Sequence, residues 1–193
     1  MSLVILLLAA GASSRMRGGD KLMEEVAGAP LIATLTARAE KVAPVIVALP
    51  ALDHPRVQAL ADSEATLIAV PDADEGMAAS IRTGTKARPD GTTGLMILPG
   101  DMPDLTAADL RTLAQAWRSD PAHIHRATTA GGTPGHPVIF PDTLFDALEA
   151  LNGDTGARGL LQSHAVRPVA LPGHHATTDL DTPEDWEVWR KRQ

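Results

Sequence analysis

LVILLLAAGASSRMRGGDK, residues 3–21, begins as an apolar run and ends as a cationic loop. The run from Leu3 to Leu8 is too short to cross a membrane and is typical of a parallel strand covered on both faces. The small residues Ala9, Ala10 and Gly11 that follow would let another molecule lie against the backbone. Donor groups and positive charges come next, on Ser13, Ser14, Arg15, Arg17 and Lys21. We therefore predict a buried strand followed by a loop that wraps a polyphosphate.

Three familiar glycine-rich loops do not match this stretch. The phosphate-binding pattern G-x-x-x-x-G-K-[ST] fails because Leu22 follows Lys21, and the dinucleotide pattern G-x-G-x-x-G fails at Ser13. The nucleophile pattern G-x-S-x-G lacks its last glycine, since Arg15 stands there. What remains is L-A-A-G-x-S-x-R-M-x-x-x-D-K-L. The alternative interpretation is an ordinary turn between a strand and a helix, with solvated arginines.

Composition bounds the class of protein. The chain has 193 residues, of which 44% are hydrophobic and 21% charged, and this suits a single globular domain over residues 1–193. It has no cysteine, which excludes disulfides, a thiolate nucleophile and cysteine zinc sites. A net charge of −7 and an aromatic content of 3% argue against nucleic-acid binding. We find no signal peptide and no membrane-length apolar run, and we expect a cytoplasmic protein with no membrane partner.

Strand and helix patterns alternate along the chain. This alternation predicts an α/β fold with a mostly parallel sheet. The predicted strands cover residues 3–8, 45–49, 66–70, 94–98, 122–129, 138–140 and 167–171, and the predicted helices cover 31–42, 54–61, 77–85, 107–117, 144–151 and 160–164.

The second strong signal is L-P-G-D-M-P, which follows the predicted strand 94–98. Ligands of open α/β sheets bind beyond the carboxyl ends of the strands, and Asp101 falls at such an end. Mg²⁺ takes one or two carboxylates together with phosphate oxygens and water, so Asp101 could bring a metal ion to a nucleotide. The alternative role is a helix cap, but Asp104 or Thr106 lies closer to the helix that begins near Ala107.

Further along, the run D-L-D-T-P-E-D near the carboxyl end holds Asp179 and Asp181 two residues apart. On an extended segment these two carboxylates point the same way. Asp181 is also predicted to cap a helix that has Pro183 just inside its start.

Together these motifs resemble the MobA-like nucleotidyltransferases, and most closely the molybdenum cofactor cytidylyltransferases. The first loop and L-P-G-D-M-P resemble motifs of the whole nucleotidyltransferase superfamily. The resemblance is restricted to the MobA-like proteins by three further motifs: G-H-P-V (135–138), G-D-x-G-A-R (153–158) and D-L-D-T-P-E-D. The resemblance runs in order from Leu3 to Trp186. It departs in one place, where an additional residue precedes Lys21. It implies a three-layer α/β/α, Rossmann-like fold of the nucleotide-diphospho-sugar transferase type.

The resemblance also implies roles for particular residues. It predicts transfer of a nucleoside monophosphate from CTP, or alternatively GTP, to the phosphate of molybdopterin, with Mg²⁺ as cofactor and release of pyrophosphate. A molybdoenzyme or its chaperone is a further expected partner. The residues carried over are Arg15, Lys21 and Asp101 for catalysis; Leu8, Ala9, Ala10, Gly11, Ser13 and Ser80 for the nucleotide; His136, Asp154 and Arg158 for the acceptor; and Asp101, Asp181 and Asp179 for the metal.

Several of these residues have structural interpretations that compete with the functional ones. Ser80 fits an ordinary position early in a helix, Asp154 fits a helix cap, and His136 fits a residue that braces its loop. Two other functions also remain open. The acceptor could be a sugar or polyol phosphate, or the chain could be a non-catalytic nucleotide-binding factor for molybdoenzyme maturation.

Overall fold

A seven-stranded sheet forms the centre of the computed structural model, which describes residues 1–153 and 156–192. The strands are β1 (Leu3–Leu8), β2 (Glu25–Val26), β3 (Ala29–Pro30), β4 (Val45–Leu49), β5 (Thr66–Ala69), β6 (Gly94–Pro99), β7 (Ile124–Thr129), β8 (Pro134–Pro141) and β9 (Val166–Leu171). The helices are α1 (Leu31–Glu40), α2 (Met77–Lys86), α3 (Ala107–Ser119), α4 (Phe145–Glu149), α5 (Arg158–Ser163) and α6 (Pro183–Arg190).

The sheet runs in the order β5-β4-β1-β6-β8-β7-β9. β8 is antiparallel to its neighbours β6 and β7, and the other neighbouring strands pair in parallel. β2 and β3 form a separate small hairpin that the sequence patterns did not predict. The mostly parallel sheet is confirmed. Within the described ranges, every helix falls short of the length and apolarity that a membrane crossing requires.

The central strand β1 explains why the fold has three layers. Ile5 and Leu7 pack into a core with α1, α3 and α6, whereas Val4 and Leu6 pack into a second core with α2 and α4. All four side chains are at most 1% exposed. Since successive side chains of a strand point to opposite faces, an unbroken apolar run requires cover on both sides. The predicted α/β/α architecture is therefore confirmed.

The pairing of β1 with β6 brings the two sequence motifs together. The strands are parallel, with Leu8 opposite Pro99, so the loops that follow them leave the same edge of the sheet. The amide of Gly100 donates to the carbonyl oxygen of Leu8 at 3.0 Å. A Cβ atom on Gly100 would lie 2.9 Å from that oxygen, so the close approach of the two loops requires glycine.

The helix caps confirm one prediction and correct another. Thr106 caps α3 in a capping box with Asp109, as one of the two predicted alternatives. Asp181 does not cap α6, because Thr182 takes that position and forms a capping box with Asp185. This correction matters for the site, because the carboxylate of Asp181 is not used as a helix cap and can contact other side chains.

Two other predicted elements differ in detail. The helix predicted over residues 54–61 is a 3₁₀-helix over Pro55–Leu60. The strand predicted over 138–140 begins earlier, at Pro134, because it forms an antiparallel hairpin with β7. His136 therefore lies on a strand, whereas the glycines and prolines around it had indicated a loop.

Candidate active site

Lys21 lies at the centre of the site. Its Nζ donates to Asp101 Oδ2 at 2.6 Å and to Asp181 Oδ1 at 2.7 Å, and all three side chains are at most 20% exposed. Arg15 Nη1 contacts the other carboxylate oxygen of Asp181 at 2.8 Å, from a side chain that is 68% exposed. The structure thus brings together residues from the beginning, middle and end of the chain.

Each of these side chains is positioned by a fixed piece of backbone. Lys21 opens a short 3₁₀ turn that is capped by the Asp20 carboxylate, which accepts from the amide of Leu22. Asp101 follows β6, and its carbonyl oxygen accepts from the amide of Leu180 at 3.2 Å. This bond ties the carboxyl-terminal segment to the loop after β6, and so fixes Asp181 beside Lys21.

The additional residue before Lys21 is accommodated by the loop. Residues Ser14–Met16 form a 3₁₀ turn, after which Arg17 and Gly18 adopt positive φ angles of 52° and 96°. The left-handed conformation tightens the chain and costs glycine little. Lys21 consequently reaches Asp101 despite the departure from the usual spacing.

Electrostatics couple Lys21 with the carboxylates around it. Burial alone would lower the pKa of Lys21, but the charges and hydrogen bonds of Asp101 and Asp181 outweigh it and raise that pKa. Burial, together with repulsion from Asp101 and Asp181, raises the pKa of the nearby Asp179. The ammonium of Lys21 thus partly neutralises a region of concentrated negative charge.

The donor set fits a hard divalent cation that also binds phosphate. Asp101 and Asp181 present carboxylate oxygens to one common position, and such oxygens are the ligands that Mg²⁺ and Mn²⁺ prefer. In the part of the chain that the structure describes, no group of three or more His, Cys, Asp or Glu side chains is arranged to hold a metal. Two protein carboxylates would therefore leave most of the coordination to phosphate and water.

A cleft beside Lys21 and Asp101 collects most of the predicted nucleotide-binding residues. Leu8, Ala10, Gly11 and Ser80 line it. Its other walls come from the start of α2 and the end of β6, and include Gly76, Met77, Pro99 and Gly100. Apart from Lys21, Asp101 and Ser80, the lining side chains are small or apolar, so the remaining polar groups of the cleft belong to the backbone.

Two predicted nucleotide-binding residues lie outside this cleft. The side chain of Ala9 is 1% exposed and packs into the core under α1 and α3. The hydroxyl of Ser13 is used within the loop, where it donates to Asp20 and accepts from the Lys21 amide. The side chains of Ala9 and Ser13 therefore shape the loop and do not face the cleft.

Arg56 is one of the residues that sequence reasoning missed. Its side chain is 2% exposed, and its guanidinium donates to the carbonyl oxygens of Ala9 and Gly11 at 2.5 and 2.9 Å. It also binds both carboxylate oxygens of Asp20 at 2.7 Å and reaches Ser13 Oγ at 3.2 Å. Arg56 thus fixes the beginning, middle and end of the loop that carries Arg15 and Lys21.

We expect Arg56→Met to destabilise the protein by about 3–5 kcal/mol, because it leaves the Asp20 carboxylate without its partner. Burial would raise the pKa of Asp20, but the hydrogen bonds and charge of Arg56 outweigh it and lower that pKa. The measurement is the free energy of unfolding in urea. Arg111→Met, at an exposed position on α3, is the matched control and should change it little.

The double variant Arg56→Met with Asp20→Asn separates the ion pair from simple packing. If the pair is the main contribution, the double variant loses less stability than the sum of the single variants. Additive losses would contradict a coupled role for Arg56 and Asp20.

A second cavity holds the predicted acceptor residues. His136 and Arg158 line it together with Arg126, which the sequence patterns did not single out. Burial above all, and then the positive charge of Arg126, lower the pKa of His136 to about 4. His136 is therefore neutral at neutral pH, and any contact it makes with a ligand would be a hydrogen bond and not an ion pair. Asp154, the third predicted acceptor residue, lies outside the described residues.

The fold and the site together define a class of protein, the nucleotidyltransferases. A family model for the MobA-like NTP transferase domain matches residues 5–169. The chain belongs to the MobA-like NTP transferase family.

Curated relatives agree with this family. The bifunctional protein GlmU of Clavibacter sepedonicus is 36% identical over 163 residues, which cover 80% of this chain but only 33% of GlmU. A probable molybdenum cofactor guanylyltransferase of Rhodopirellula baltica is 28% identical over 194 residues, covering 93% of this chain and 87% of the relative. The chain thus spans a third of GlmU and most of the guanylyltransferase.

Solved structures show the same fold. Rv0371c of Mycobacterium tuberculosis aligns with a TM-score of 0.85 at 28% identity, over 99% of this chain and 98% of its own. A structure of Rv0371c in complex with manganese aligns with a TM-score of 0.81 at 26% identity, over 100% of both chains.

Proposed function

We propose that residues 1–193 form a single domain that transfers a nucleoside monophosphate from CTP or GTP to the phosphate of a molybdopterin-type acceptor. The observation that carries this proposal is the contact of Lys21 with both Asp101 and Asp181 beside the cleft. A cation and two carboxylates at the mouth of a cleft can hold a metal-bound triphosphate, with the reacting α-phosphorus between the cleft and the acceptor cavity.

The reaction joins two phosphates. An oxygen of the acceptor phosphate attacks the α-phosphorus of the nucleoside triphosphate and forms a new P–O bond. The bond from the α-phosphorus to the oxygen bridging the α- and β-phosphates breaks, and pyrophosphate leaves with that electron pair. No general base is required, because the attacking group is already an anion. Arg15 and Lys21 neutralise the charge of the triphosphate, so that catalysis is mainly positioning and electrostatic stabilisation.

A divalent cation, which we infer to be Mg²⁺, belongs to this proposal. Asp101 and Asp181 would hold it, with Asp179 beside them, and it would supply positive charge to the phosphate oxygens. The manganese complex of Rv0371c supports a divalent metal in proteins of this fold. The hard oxygen donors of the site support the same assignment.

The nucleoside contacts come from the cleft. Leu8, Ala10 and Gly11 would bind the nucleotide mainly through backbone groups, and Ser80 would bind the base or ribose through its hydroxyl. The resemblance of G-H-P-V and G-D-x-G-A-R to cytidylyltransferases supports CTP, whereas the name of the Rhodopirellula baltica relative supports GTP.

The acceptor would lie in the second cavity. Arg158 can bind a phosphate through its guanidinium fork, and neutral His136 can donate a hydrogen bond. Both groups are separated from the nucleotide cleft by Met77, which lines the two cavities. The separate cavities support a reaction between two bound substrates.

Thermal denaturation with CTP, GTP or ATP, each with and without Mg²⁺, tests the nucleotide and metal assignments. At 100 times its dissociation constant, the correct nucleotide should stabilise the fold by about 2.7 kcal/mol, and only when the metal is present. Equal stabilisation by all three nucleotides without metal would contradict the proposal.

Transfer of label from [α-³²P]CTP or [α-³²P]GTP tests the reaction. The label should move to molybdopterin and not to sugar or polyol phosphates. Transfer to a sugar phosphate alone would replace the acceptor, and nucleotide binding without any turnover would favour a non-catalytic maturation factor.

A further inference from the structure

Arg126 lies half-buried on β7, and one hydrogen bond orients its side chain. Its Nε donates to the carbonyl oxygen of Gly135 on the adjacent strand β8 at 2.9 Å. Position 135 requires glycine, because a Cβ atom there would lie 1.8 Å from the carbonyl oxygen of Ala176. Within residues 1–153 and 156–192, neither terminal nitrogen of Arg126 has a hydrogen-bond partner, so both can face a ligand.

Arg126 has no charged partner in the part of the chain that the structure describes. Among residues 1–153 and 156–192, no carboxylate forms an ion pair with this guanidinium. Burial lowers the pKa of Arg126, and no neighbouring charge opposes that effect. A half-buried cation without a partner is costly, and an anionic ligand would remove that cost.

Arg126 lies where two cavities adjoin. On one side it lines a cavity with Asp101 and Asp179, next to the carboxylates of the proposed metal site. On the other side it lines the larger cavity with Arg158. His136 lines both cavities, and its Nδ1 is a buried atom that has no hydrogen-bond partner among the described residues. Unpaired buried polar atoms are rare in proteins, so His136 Nδ1 is a second indication of a ligand here.

The remaining wall of the larger cavity is apolar. Beyond the two arginines, His136 and Gln162, the lining consists of apolar residues that include Ile81, Ile97, Val138, Phe140 and Leu161. Such a wall excludes water from one side of the ligand and favours contact with a ring or another apolar group. The cavity therefore suits a phosphate ester that carries an apolar or ring-bearing body.

We propose that Arg126 is a catalytic residue that binds the attacking phosphate of the acceptor between Asp101 and the cavity of His136, with the body of the acceptor on the apolar wall. This proposal rests on the proposed nucleotidyl transfer. Arg126 neutralises the charge of the attacking phosphate, which must approach a triphosphate that is also negative. Arg158 lines the larger cavity but not the one that holds Asp101, and it contributes to binding there.

Titrations with two small phosphate monoesters test this assignment without the natural acceptor. Phenyl phosphate combines a ring with the phosphate, whereas methyl phosphate supplies the phosphate alone. The wild-type protein should bind phenyl phosphate more tightly than methyl phosphate, as measured by NMR chemical-shift changes. Arg126→Met should weaken both by at least about 10-fold, in the range of a charged hydrogen bond, and Arg126→Lys should weaken them less.

Two control variants test whether the loss of affinity is specific to Arg126 and to the apolar wall of the cavity. Arg118→Met removes the same charge from an exposed position on α3 and should leave both affinities unchanged. Met77→Ala, at a side chain that is 42% exposed, should weaken phenyl phosphate but not methyl phosphate. Melting temperatures of all variants should stay close to that of the wild type, and Arg126→Lys serves if Arg126→Met does not fold.

Two results would overturn the proposal for Arg126. One is wild-type affinity for phenyl phosphate in Arg126→Met, and the other is the absence of phenyl phosphate binding in the wild type. Nucleotide binding is scored separately, by thermal stabilisation with CTP or GTP and Mg²⁺, which Arg126→Met should retain. If neither CTP nor GTP with Mg²⁺ stabilises the wild-type protein, the proposed function is refuted, whatever the phosphate titrations with the Arg126 variants show.

Discussion

Asp101→Asn is expected to lower the turnover number by about 10²–10³-fold, the loss typical of removing one electrostatic group from an active site. The Asp101 carboxylate is 19% exposed and lies 2.6 Å from Lys21 Nζ, so the substitution removes a charge from the centre of the site. The amide keeps the shape of the side chain but binds a divalent cation far less well. The measurement is transfer of labelled nucleoside monophosphate under saturating substrates.

The control for Asp101 is Asp90→Asn, at an exposed turn, which makes the same change in net charge. Its turnover should equal that of the wild type. Asp101→Asn should still fold, because the amide has nearly the same size as the carboxylate, and its melting temperature without ligands should stay close to that of the wild type. Turnover within a few-fold of the wild type would contradict a role for Asp101 in catalysis.

Lys21→Met is expected to change turnover and metal affinity in opposite directions. Turnover should fall by about 10²–10³-fold, because a cation that stabilises the triphosphate is lost. Affinity for Mn²⁺ in the absence of nucleotide should rise, because the Lys21 ammonium occupies the position between Asp101 and Asp181 that a metal ion would share. The measurements are the labelled transfer assay and a Mn²⁺ titration followed by electron paramagnetic resonance.

Lys86→Met, at the exposed end of α2, is the matched control for Lys21 and should change neither quantity. A simple loss of folding would lower turnover and metal affinity together. Unchanged or weaker Mn²⁺ binding by a folded Lys21→Met protein would contradict the shared position of the ammonium and the metal.

The sequence predicted those parts of the site that are encoded in contiguous residues. The apolar run of β1 and the loop after it are local patterns, and so is L-P-G-D-M-P. Alternating strands and helices indicated a parallel sheet, whose strands all end at the same edge. Residues Lys21 and Asp101 could therefore be assigned to one site before any coordinates. The pairing of β1 with β6, which places the two loops side by side, is given by the structure.

Arg56 and Arg126 could not be found in this way, because their surroundings are set by the fold. Arg126 lines a cavity with Asp101 and Asp179, which are distant in the sequence. Arg56 contacts the carbonyl oxygens of Ala9 and Gly11, 47 and 45 residues earlier in the chain. Nothing in the sequence around an arginine distinguishes a buried one from a solvated one. Since every residue carries a backbone carbonyl, the sequence does not show which carbonyl oxygens an arginine will bind.

The predicted start of the strand that carries His136 was wrong for a different reason. Glycines and prolines around it indicated a loop, because both residues disfavour regular strands. The structure instead extends β8 through this region, and the glycine at 135 serves a close approach to Ala176. Tertiary packing therefore overrode the local preference.

A crystal structure with Mn²⁺ and a non-hydrolysable α,β-methylene analogue of CTP or GTP tests the central claim most directly. We expect the anomalous signal of manganese at the carboxylates of Asp101 and Asp181, with the ammonium of Lys21 on the triphosphate and the base beside Ser80. Manganese at another surface of the molecule, or a triphosphate that contacts neither Arg15 nor Lys21, would contradict it.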